Sequence, residues 1–389
     1  MNIINLFNFN INFFKLYAFF LVSNGILSIR FFLNYKYTLD QPITFYIIYI
    51  FFLLIVYFLL NNKLFKINFF LNRYFFSFFL LSISIILIYQ YPIQDNLKLF
   101  NLGSDQDDCI KDMIFNLLNL NYPYQKTYLG NPCSTGFLEI IFYSPIIISD
   151  KYFAFIPAIS TFFFFLSIRN YIDSNESYLI SYLIFTNLIF LELCISGSDY
   201  IIISTSYVVG ISFLLKGLKN KSFFFQIIGY VFLCFFYSSR IVFIFIMLLN
   251  FFTISIYNKK VNIPFIIILF IVFSSYTLMY LISPENFPNF HLFYKGYSLL
   301  NDNKLLLIIS VFLISFLFLY YYRLLKQIFI SQNFLILFNS LIFILPMLFL
   351  SFAGFSFNNL ASWEEINYTI LVLPSIYFST FIFLKNKIE

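Results

Sequence analysis

Ile43 to Leu60 reads ITFYIIYIFFLLIVYFLL, and Tyr74 to Tyr91 reads YFFSFFLLSISIILIYQY. Neither run contains a charged residue, and a helix needs about 20 apolar residues to cross roughly 30 Å of hydrocarbon. The rest of the chain is similar, because 61% of its 389 residues are hydrophobic, 24% are aromatic and only 10% are charged. Such a chain cannot cover a water-facing surface with polar groups. The sequence therefore predicts an all-α, polytopic membrane protein.

Apolar windows separated by polar breaks predict about 12 transmembrane helices. The fourth window is too long for one straight helix and too short for two, and we expect Pro145 and the stretch from Ser149 to Lys151 to break it. A half-buried re-entrant piece would then precede a span from about Tyr152. No polar stretch is long enough to bury a core of its own, so residues 1–389 are predicted to form one membrane-embedded domain. The windows are 11–29, 43–60, 74–91, 136–168, 178–195, 200–217, 222–239, 241–257, 264–282, 304–322, 333–352 and 366–384.

The orientation follows from Lys and Arg in short loops, which concentrate on the cytoplasmic side. With Lys63, Lys66 and Arg73 inside, the alternation of spans places about 14 basic residues inside and about 8 outside. Both termini are then cytoplasmic, and we expect a bacterial inner membrane. This excess explains the net charge of +6. No long basic run exists, so nucleic acid is not an expected partner.

The first large outer loop, residues 92–135, carries an unusual group of acids. After SDQDD, apolar residues recur at helical spacing, which predicts an amphipathic helix lying at the membrane interface. Ser104, with Asp107 three residues later, resembles a capping box. Acids at the start of a helix are stabilised by its dipole. The expected apolar face consists of Ile110, Met113, Ile114, Leu117 and Leu118.

Acids at a membrane surface have three possible roles. One can act as a general base on a hydroxyl group, a group of them can bind a divalent cation through oxygen, or they can solvate a loop. We take Asp105, Asp107 and Asp108 as catalytic candidates, with Asp105 or Asp107 as the base, and Asp112 as a supporting, substrate-binding residue. A divalent cation is a possible cofactor, and no other cofactor is indicated.

Other scarce residues also fall on the predicted outer face. Arg240 lies at a tight turn between two apolar spans and could bind a phosphate, or it could be a snorkelling anchor. His291 and Lys295 are second candidates for that contact. Trp363 and Glu364 could stack on a sugar and bind its hydroxyls, or belong to an interfacial aromatic belt. Asp199 in SGSDY and Glu192 near the outer end of a span carry similar alternatives.

The loop resembles a known family of enzymes. An acid at the helix start, then LLNLNYPY (Leu117 to Tyr124), then GNPCSTGFLEIIFYSP (Gly130 to Pro145), is similar to the first outer loop of the C-type membrane glycosyltransferases. Pro123 and Tyr124 match the turn of that loop, while Asn121 stands where Gly is common. Pro132, Gly136 and Pro145 match its re-entry into the membrane. These residues cover roughly a tenth of the chain.

A second match lies in INYTILVLPSIYF (Ile366 to Phe378), which resembles a late helix of the same family. Tyr368 and Pro374 fit its pattern, but Asn367 replaces the basic residue that would contact the donor phosphate. The chain also has three predicted spans ahead of the loop where many relatives have one.

The resemblance implies a mechanism. A sugar on a polyprenyl phosphate enters from the bilayer, an outer-loop Asp takes the proton of an acceptor hydroxyl, and the lipid phosphate leaves with inversion at the sugar. The acceptor would be a glycan, a lipid or a protein. The implied substrate contacts include Tyr124 and Tyr368. A departing phosphate also needs cationic or helix-dipole partners, which is the chemistry proposed for Arg240.

Three other functions remain open. A polysaccharide polymerase of the O-antigen type would share lipid-linked substrates, but the late loop from Ser283 to Asn303 is short, with one Lys and one His. A lipid-linked sugar transporter or flippase would suggest inverted repeats and broken helices near the midplane, and the sequence shows no internal symmetry. A structural scaffold would leave the acidic loop unexplained.

The chain has four Cys without metal-site spacing. Cys109 and Cys133 fall in the loop on the predicted oxidising side and could pair, which would tie the helix start to the re-entry. Cys194 and Cys234 lie in predicted spans and are expected to be small apolar residues there.

Overall fold

The computed structural model describes residues 24–25, 28–29, 31–32, 41–61, 72–97, 104–127, 130, 133–147, 155–169, 174–258, 263–284 and 374–375. Of these residues 85% are helical, and none of them forms a strand. Three helices are long and apolar enough to cross a membrane, namely Arg73–Asn96, Tyr200–Asn220 and Ile263–Ile282. The protein is therefore an all-α membrane protein. The predicted windows 304–322 and 333–352 lie outside the described residues, as do most of 11–29 and 366–384.

The elements follow the apolar windows along most of the described chain. A short 3₁₀ turn, Ile241–Phe243, separates the helix that ends at Ser239 from the one that begins at Ile244. The helices are α1 (Pro42–Asn61), α2 (Arg73–Leu97), α3 (Gln106–Leu118), α4 (Phe137–Ile147), α5 (Phe155–Arg169), α6 (Ser174–Phe185), α7 (Leu188–Ile195), α8 (Tyr200–Asn220), α9 (Phe223–Ser239), α10 (Ile244–Asn258) and α11 (Ile263–Ile282).

Helix α8 is the centre of the packing. Of its most apolar window 83% is buried, against 17% for α2 and 33% for α11. A helix that is apolar around its whole circumference is expected in such a central position. The polar side chains around it satisfy one another, because Asn250 donates hydrogen bonds to the hydroxyls of Tyr207 (3.0 Å) and Tyr237 (2.7 Å).

The peripheral helices expose many large apolar side chains, and it would be energetically unfavourable to hydrate them. Exposed large residues on α1 and α2 include Ile43, Phe51 and Phe78, and on α11 they include Phe270 and Leu281. A contiguous apolar surface of this kind indicates contact with lipid or with another protein. For helices of this length and composition, the hydrocarbon of a bilayer is the matching solvent.

The predicted span 178–195 is not one continuous helix, because the chain breaks into two helices there. α6 ends at Phe185, and α7 begins at Leu188 with Asn187 as its N-cap, whose side chain accepts a hydrogen bond from the backbone N–H of Phe190 (3.1 Å). Asn24 bonds the carbonyl of Leu183 at 2.7 Å, which satisfies part of the backbone that the break frees. Side chains must do this where no water is present.

The predicted break of the fourth window at Pro145 is also wrong. α4 continues through Pro145 and ends at Ile147, and the next described helix begins at Phe155. Eleven residues of helix reach only about 16 Å, too short to span a bilayer. The described helix α4 is therefore shorter than a membrane span, and this length is consistent with the predicted re-entrant piece before a separate span.

Helix α2 is longer than the window that predicts it. It continues past Tyr91 and through Pro92 to Leu97, and the Asn96 side chain donates to the Pro92 carbonyl at 2.9 Å. The helix therefore extends into the segment 92–135 that is predicted to be the first outer loop. As a consequence Asp95 lies on the same rigid helix as Tyr91, one turn further along.

Candidate functional site

Helix α3 carries the acids of the loop, but its cap differs from the predicted capping box. The helix begins at Gln106, and its N-cap is Asp105, whose side chain makes no capping hydrogen bond. The Ser104 hydroxyl accepts from the N–H of Gln106 at 3.3 Å instead of reaching Asp107. The capping-box prediction is wrong because the helix starts one residue later than that motif requires.

The apolar face of α3 packs against the rest of the protein. Ile110, Met113 and Ile114 are buried as predicted, while Leu118 is 70% exposed and lies outside the packed face. Cys109 and Cys133 form a disulfide, a pairing that the sequence permits but does not by itself predict. The bond ties the first turn of α3 to the segment that leads into α4.

Three carboxylates meet where α2 ends and α3 begins. One oxygen from each of Asp95, Asp107 and Asp108 lies within 4.8 Å of the others. Lys111 reaches the same place, with its Nζ 3.6 Å from Oδ2 of Asp107 and 3.9 Å from Oδ1 of Asp108. Grouped carboxylate oxygens are the ligands that hard divalent cations prefer. This is where a cation could be held among the described residues.

Asp107 is the least accessible of these acids. It is 0% exposed and accepts a hydrogen bond from the Tyr91 hydroxyl. Gly197 lies against its carboxylate so closely that a Cβ at that position would be 2.6 Å from Cγ of Asp107. Asp107 is therefore enclosed by α2 and by the turn before α8.

Asp105, Asp108 and Asp112 are more accessible. Asp105 is half-buried, and the Thr127 hydroxyl donates to its Oδ2 at 2.9 Å. The side chain of Asp108 is 18% exposed, and Asp112 is exposed on α3. A base that takes a proton from a substrate must be reachable by that substrate. Accessibility therefore favours Asp105 and Asp108 over Asp107.

The turn between α7 and α8 holds the start of α3. Oε1 of Gln106 accepts hydrogen bonds from the Ser198 hydroxyl (2.7 Å) and from the backbone N–H of Asp199 (3.2 Å). The N–H of Ser104 donates to the carbonyl of Ser196 at 3.3 Å. The SGSDY segment is thus a partner of the acidic loop, through its backbone as well as its side chains.

Arg240 lies beneath this turn in a buried ion-pair cluster. Its Nη2 is 2.5 Å from Oδ2 of Asp199, and its Nη1 is 3.2 Å from Oε2 of Glu139. Arg240 is 2% exposed, and both acids are 0% exposed. A role for Arg240 in binding the donor phosphate remains a prediction, and its guanidinium is enclosed by two carboxylates in this structure.

The electrostatics of the cluster are asymmetric. Burial raises the pKa of Glu139 well above the ordinary value, the Asp199 carboxylate raises it further, and Arg240 acts in the opposite direction. Burial disfavours the charged form of Arg240, but Asp199 and Glu139 outweigh that effect and raise its pKa. Glu139 lies on α4, which is too short to span the membrane.

The last carbonyls of α9 accept hydrogen bonds from other residues of the site. Gly136 donates its N–H to the carbonyl of Ser239 (3.0 Å), and the Tyr276 hydroxyl donates to the carbonyl of Ser238 (2.5 Å). Nη1 of Arg240 also donates to the carbonyl of Ser239, at 2.7 Å. The last carbonyls of a helix have no partner within that helix, so these contacts satisfy them.

The NYPY turn is anchored to the protein. The Tyr122 hydroxyl donates to the carbonyl of Met279 at 3.1 Å, at the end of α11. Burial raises the pKa of Tyr122 to about 12, so its hydroxyl stays protonated. Tyr124 is 3% exposed and belongs to the hydrophobic core, so its predicted contact with substrate stays a prediction.

Several predicted site residues lie outside the described part of the chain. The structure therefore brings together Asp107 and Asp108 with Asp95, places Asp105 against Thr127 and places Arg240 in a separate cluster, while the remaining contacts stay predictions. The residues outside the described part are His291, Lys295, Trp363, Glu364 and Tyr368.

Three residues that the structure places at the site, Tyr91, Asp95 and Glu139, are not predicted as site residues from the sequence. Asp95 and Tyr91 were assigned to a loop and to the end of a span, although their spacing of four places them on one face of a helix. Glu139 lies in the stretch Gly130 to Pro145, and the family resemblance gives it no role. An acid in an otherwise apolar run, FLEIIFY, is the signal that could have selected it.

Comparison with protein-family models, curated proteins and solved structures finds no match to this chain. The resemblance to the C-type glycosyltransferases rests on the loop motif and on the late Tyr–Pro helix alone. A function for the chain therefore has to be inferred from the chemistry of its own residues.

Proposed function

We propose that the protein is a membrane glycosyltransferase. It would move a sugar from a polyprenyl-phosphate donor to a glycan, lipid or protein acceptor on the extracytoplasmic face, with both termini in the cytoplasm of a bacterial cell. The observation that carries the proposal is the group of carboxylates at the start of α3, in a loop that a disulfide ties to α4. The site lies beside helices that can reside in the bilayer, where a lipid-linked donor dissolves.

Asp105 is our choice for the general base. It is half-buried and positioned by Thr127, so it combines accessibility with a fixed orientation. A hydroxyl acceptor must lose its proton as it attacks the sugar, and a positioned carboxylate can accept it. Asp107, enclosed by Tyr91 and Gly197, would instead shape the site.

The leaving phosphate needs positive charge near it. Lys111 lies within 4 Å of Asp107 and Asp108 and can provide part of that charge. A divalent cation among Asp95, Asp107 and Asp108 would supply the remainder. Arg240 lies deeper and would have to exchange a carboxylate partner to reach a phosphate.

The test uses the full chain in nanodiscs with a panel of polyprenyl-phosphate sugars, and it follows loss of sugar from the lipid with and without Mg²⁺. We expect one donor to be consumed, and Asp105→Asn to lower the rate about a hundredfold to ten-thousandfold, the usual contribution of a general base. The matched control is Glu176→Gln, which neutralises an acid at the start of α6, on the predicted cytoplasmic side. That variant should keep the wild-type rate.

Two outcomes would contradict the proposal. If no donor is consumed by folded wild-type protein, the glycosyltransferase function is wrong. If a donor is consumed and Asp105→Asn is as fast as wild type, Asp105 is not the base, and Asp108→Asn then tests the other accessible acid. Each variant is accepted for kinetics only if it melts within a few degrees of the wild type.

A lipid-linked sugar transporter is the second candidate, because α6 and α7 form a broken helix at Thr186 and Asn187. Discontinuous helices are characteristic of transporter binding sites. The two functions separate in liposomes loaded with a fluorescent lipid-linked sugar. A transporter moves the intact lipid between leaflets, whereas a glycosyltransferase cleaves the sugar from it.

A further inference from the structure

The buried cluster of Glu139, Asp199 and Arg240 is short of positive charge. Two carboxylates and one guanidinium would leave one net negative charge inside the protein if all three were ionised. All three side chains are at most 3% exposed. An unpaired buried charge is so unfavourable that such a group usually changes its protonation state instead.

Among the described residues, no neighbouring titratable group provides a second positive charge. The groups that face the cluster are tyrosines on α4, at the start of α8 and on α11, and a fourth tyrosine, in the NYPY turn, faces the one on α11. A tyrosine can donate a hydrogen bond but cannot neutralise a carboxylate. The tyrosines are Tyr143, Tyr200, Tyr276 and Tyr124.

The hydrogen-bond pattern shows a deficit on both acids. Oδ1 of Asp199 and Oε1 of Glu139 are buried, and neither has a hydrogen-bond partner among the described residues. A carboxylate that is fully buried is expected to have both oxygens satisfied. One additional proton in the cluster would provide a missing hydrogen-bond donor. The same proton would cancel the excess negative charge.

The distances indicate which acid is the anion. Asp199 is 2.5 Å from Nη2 of Arg240, which is a close ion pair. Glu139 is 3.2 Å from Nη1, and that nitrogen is shared with the carbonyl of Ser239 at 2.7 Å. Both acids lie at the start of a helix, so the helix dipole does not distinguish them. The closer contact therefore makes Asp199 the partner of the guanidinium.

We propose that this cluster is a proton-binding site, in which Glu139 holds one proton in the folded protein at neutral pH and Asp199 is the anion paired with Arg240. The folded protein then takes up a proton that the unfolded chain releases at the same pH. The burial-raised pKa of Glu139 agrees with this arrangement. Neither the site nor its test depends on a sugar-transfer reaction.

The direction of the pH effect follows from linkage. A group whose pKa is higher in the folded state stabilises that state most below its unfolded pKa, here near 4.5. The stabilisation is lost as the pH rises through the folded value. Relative to Glu139→Gln, the melting temperature of the wild type should therefore fall as the pH rises above about 4.5.

Infrared spectroscopy of the full chain in nanodiscs tests the site directly, because a protonated buried carboxyl group has a carbonyl-stretch band that a carboxylate lacks. We expect this band in the wild type at neutral pH and its loss in Glu139→Gln. Asp199→Asn should also lose it, since Glu139 would become the sole anion for Arg240 and ionise. Glu176→Gln, an acid on α6, is the matched control and should keep the band.

Each result decides the proposal. A wild type without the band at neutral pH overturns it, and this measurement needs no variant to fold. A band that persists in Glu139→Gln places the proton on another acid. A band that persists in Asp199→Asn shows that the two acids do not compete for Arg240, which removes the reason for the proton.

Discussion

Gly197 offers the sharpest test of how the acidic loop is held. Its φ is +77°, a conformation that side chains disfavour. A Cβ at this position would be 2.6 Å from Cγ, 2.7 Å from Oδ1 and 3.0 Å from Oδ2 of Asp107. Gly197→Ala therefore adds backbone strain and a steric collision with one predicted site residue.

The magnitude can be worked from these two terms. A left-handed backbone costs a residue with a Cβ about 1–2 kcal/mol, and overpacking a closed site costs about 1–3 kcal/mol. The collision cannot be relieved cheaply, because Asp107 is fully buried and accepts a hydrogen bond from Tyr91. We expect Gly197→Ala to destabilise the protein by about 2–5 kcal/mol.

Gly130 provides a matched control for the backbone term. Its φ is +84°, and no atom of the other described residues lies within 4 Å of the position where a Cβ would stand. Gly130→Ala should therefore cost only the strain of the left-handed conformation, about 1–2 kcal/mol. The difference between the two variants isolates the contact with Asp107.

The assay is equilibrium unfolding of both variants and of the wild type in the same nanodiscs or mixed micelles, followed by helix content. A second arm combines Gly197→Ala with Asp107→Ala, which removes all three colliding atoms. The double variant should recover about 1–3 kcal/mol relative to the sum of the single changes. If Gly197→Ala is no less stable than Gly130→Ala, or if the cycle shows no coupling, Gly197 is not packed against the carboxylate.

Two further predictions concern the same region. Cys109→Ser breaks the disulfide and should lower the free energy of unfolding by about 3.5 kcal/mol, because the bond joins residues 24 positions apart. A reductant should lower the melting temperature of the wild type and leave that of the variant unchanged. Gly136→Ala should prevent folding, since its Cβ would lie 1.4 Å from the carbonyl oxygen of Ser238, and backbone cannot move aside as a side chain can. The yield of monodisperse protein measures the second effect, with Gly130→Ala again as the control, and a normal yield of Gly136→Ala would show that α4 and α9 do not meet there.

Much of the described fold could be predicted from hydropathy, because the bilayer imposes a minimum length on apolar helices. The windows 43–60, 200–217 and 264–282 agree with α1, α8 and α11 to within three residues at each end. Hydropathy failed where a polar side chain decides the structure. The break between α6 and α7 depends on Asn187 acting as an N-cap, and Asn is too common in this chain for its position to be informative.

Only part of the site could be predicted, for a related reason. The acids of α3 and the pairing of Cys109 with Cys133 are local in sequence, so their grouping was visible. The contacts of Arg240 with Asp199 and Glu139 join residues 41 and 101 positions apart. No periodicity reports such a pairing, because it arises only when α4, α8 and α9 come together at one end.

The way in which the loop is held bears on what the acids do. Three features hold the start of α3, and a loop that is only solvated would need none of them. They are the disulfide, the glycine packed against a carboxylate, and the hydrogen bond between Gln106 and the turn before α8. Each of these features restricts the start of α3, although grouped carboxylates repel one another and gain from moving apart. A fold that holds such carboxylates close together raises the free energy of the unliganded site. Binding of a cation, or protonation of one carboxylate, relieves this repulsion and is therefore favoured. This is the strongest physical reason to treat Asp105, Asp107 and Asp108 as a working site, and the nanodisc assay tests it directly.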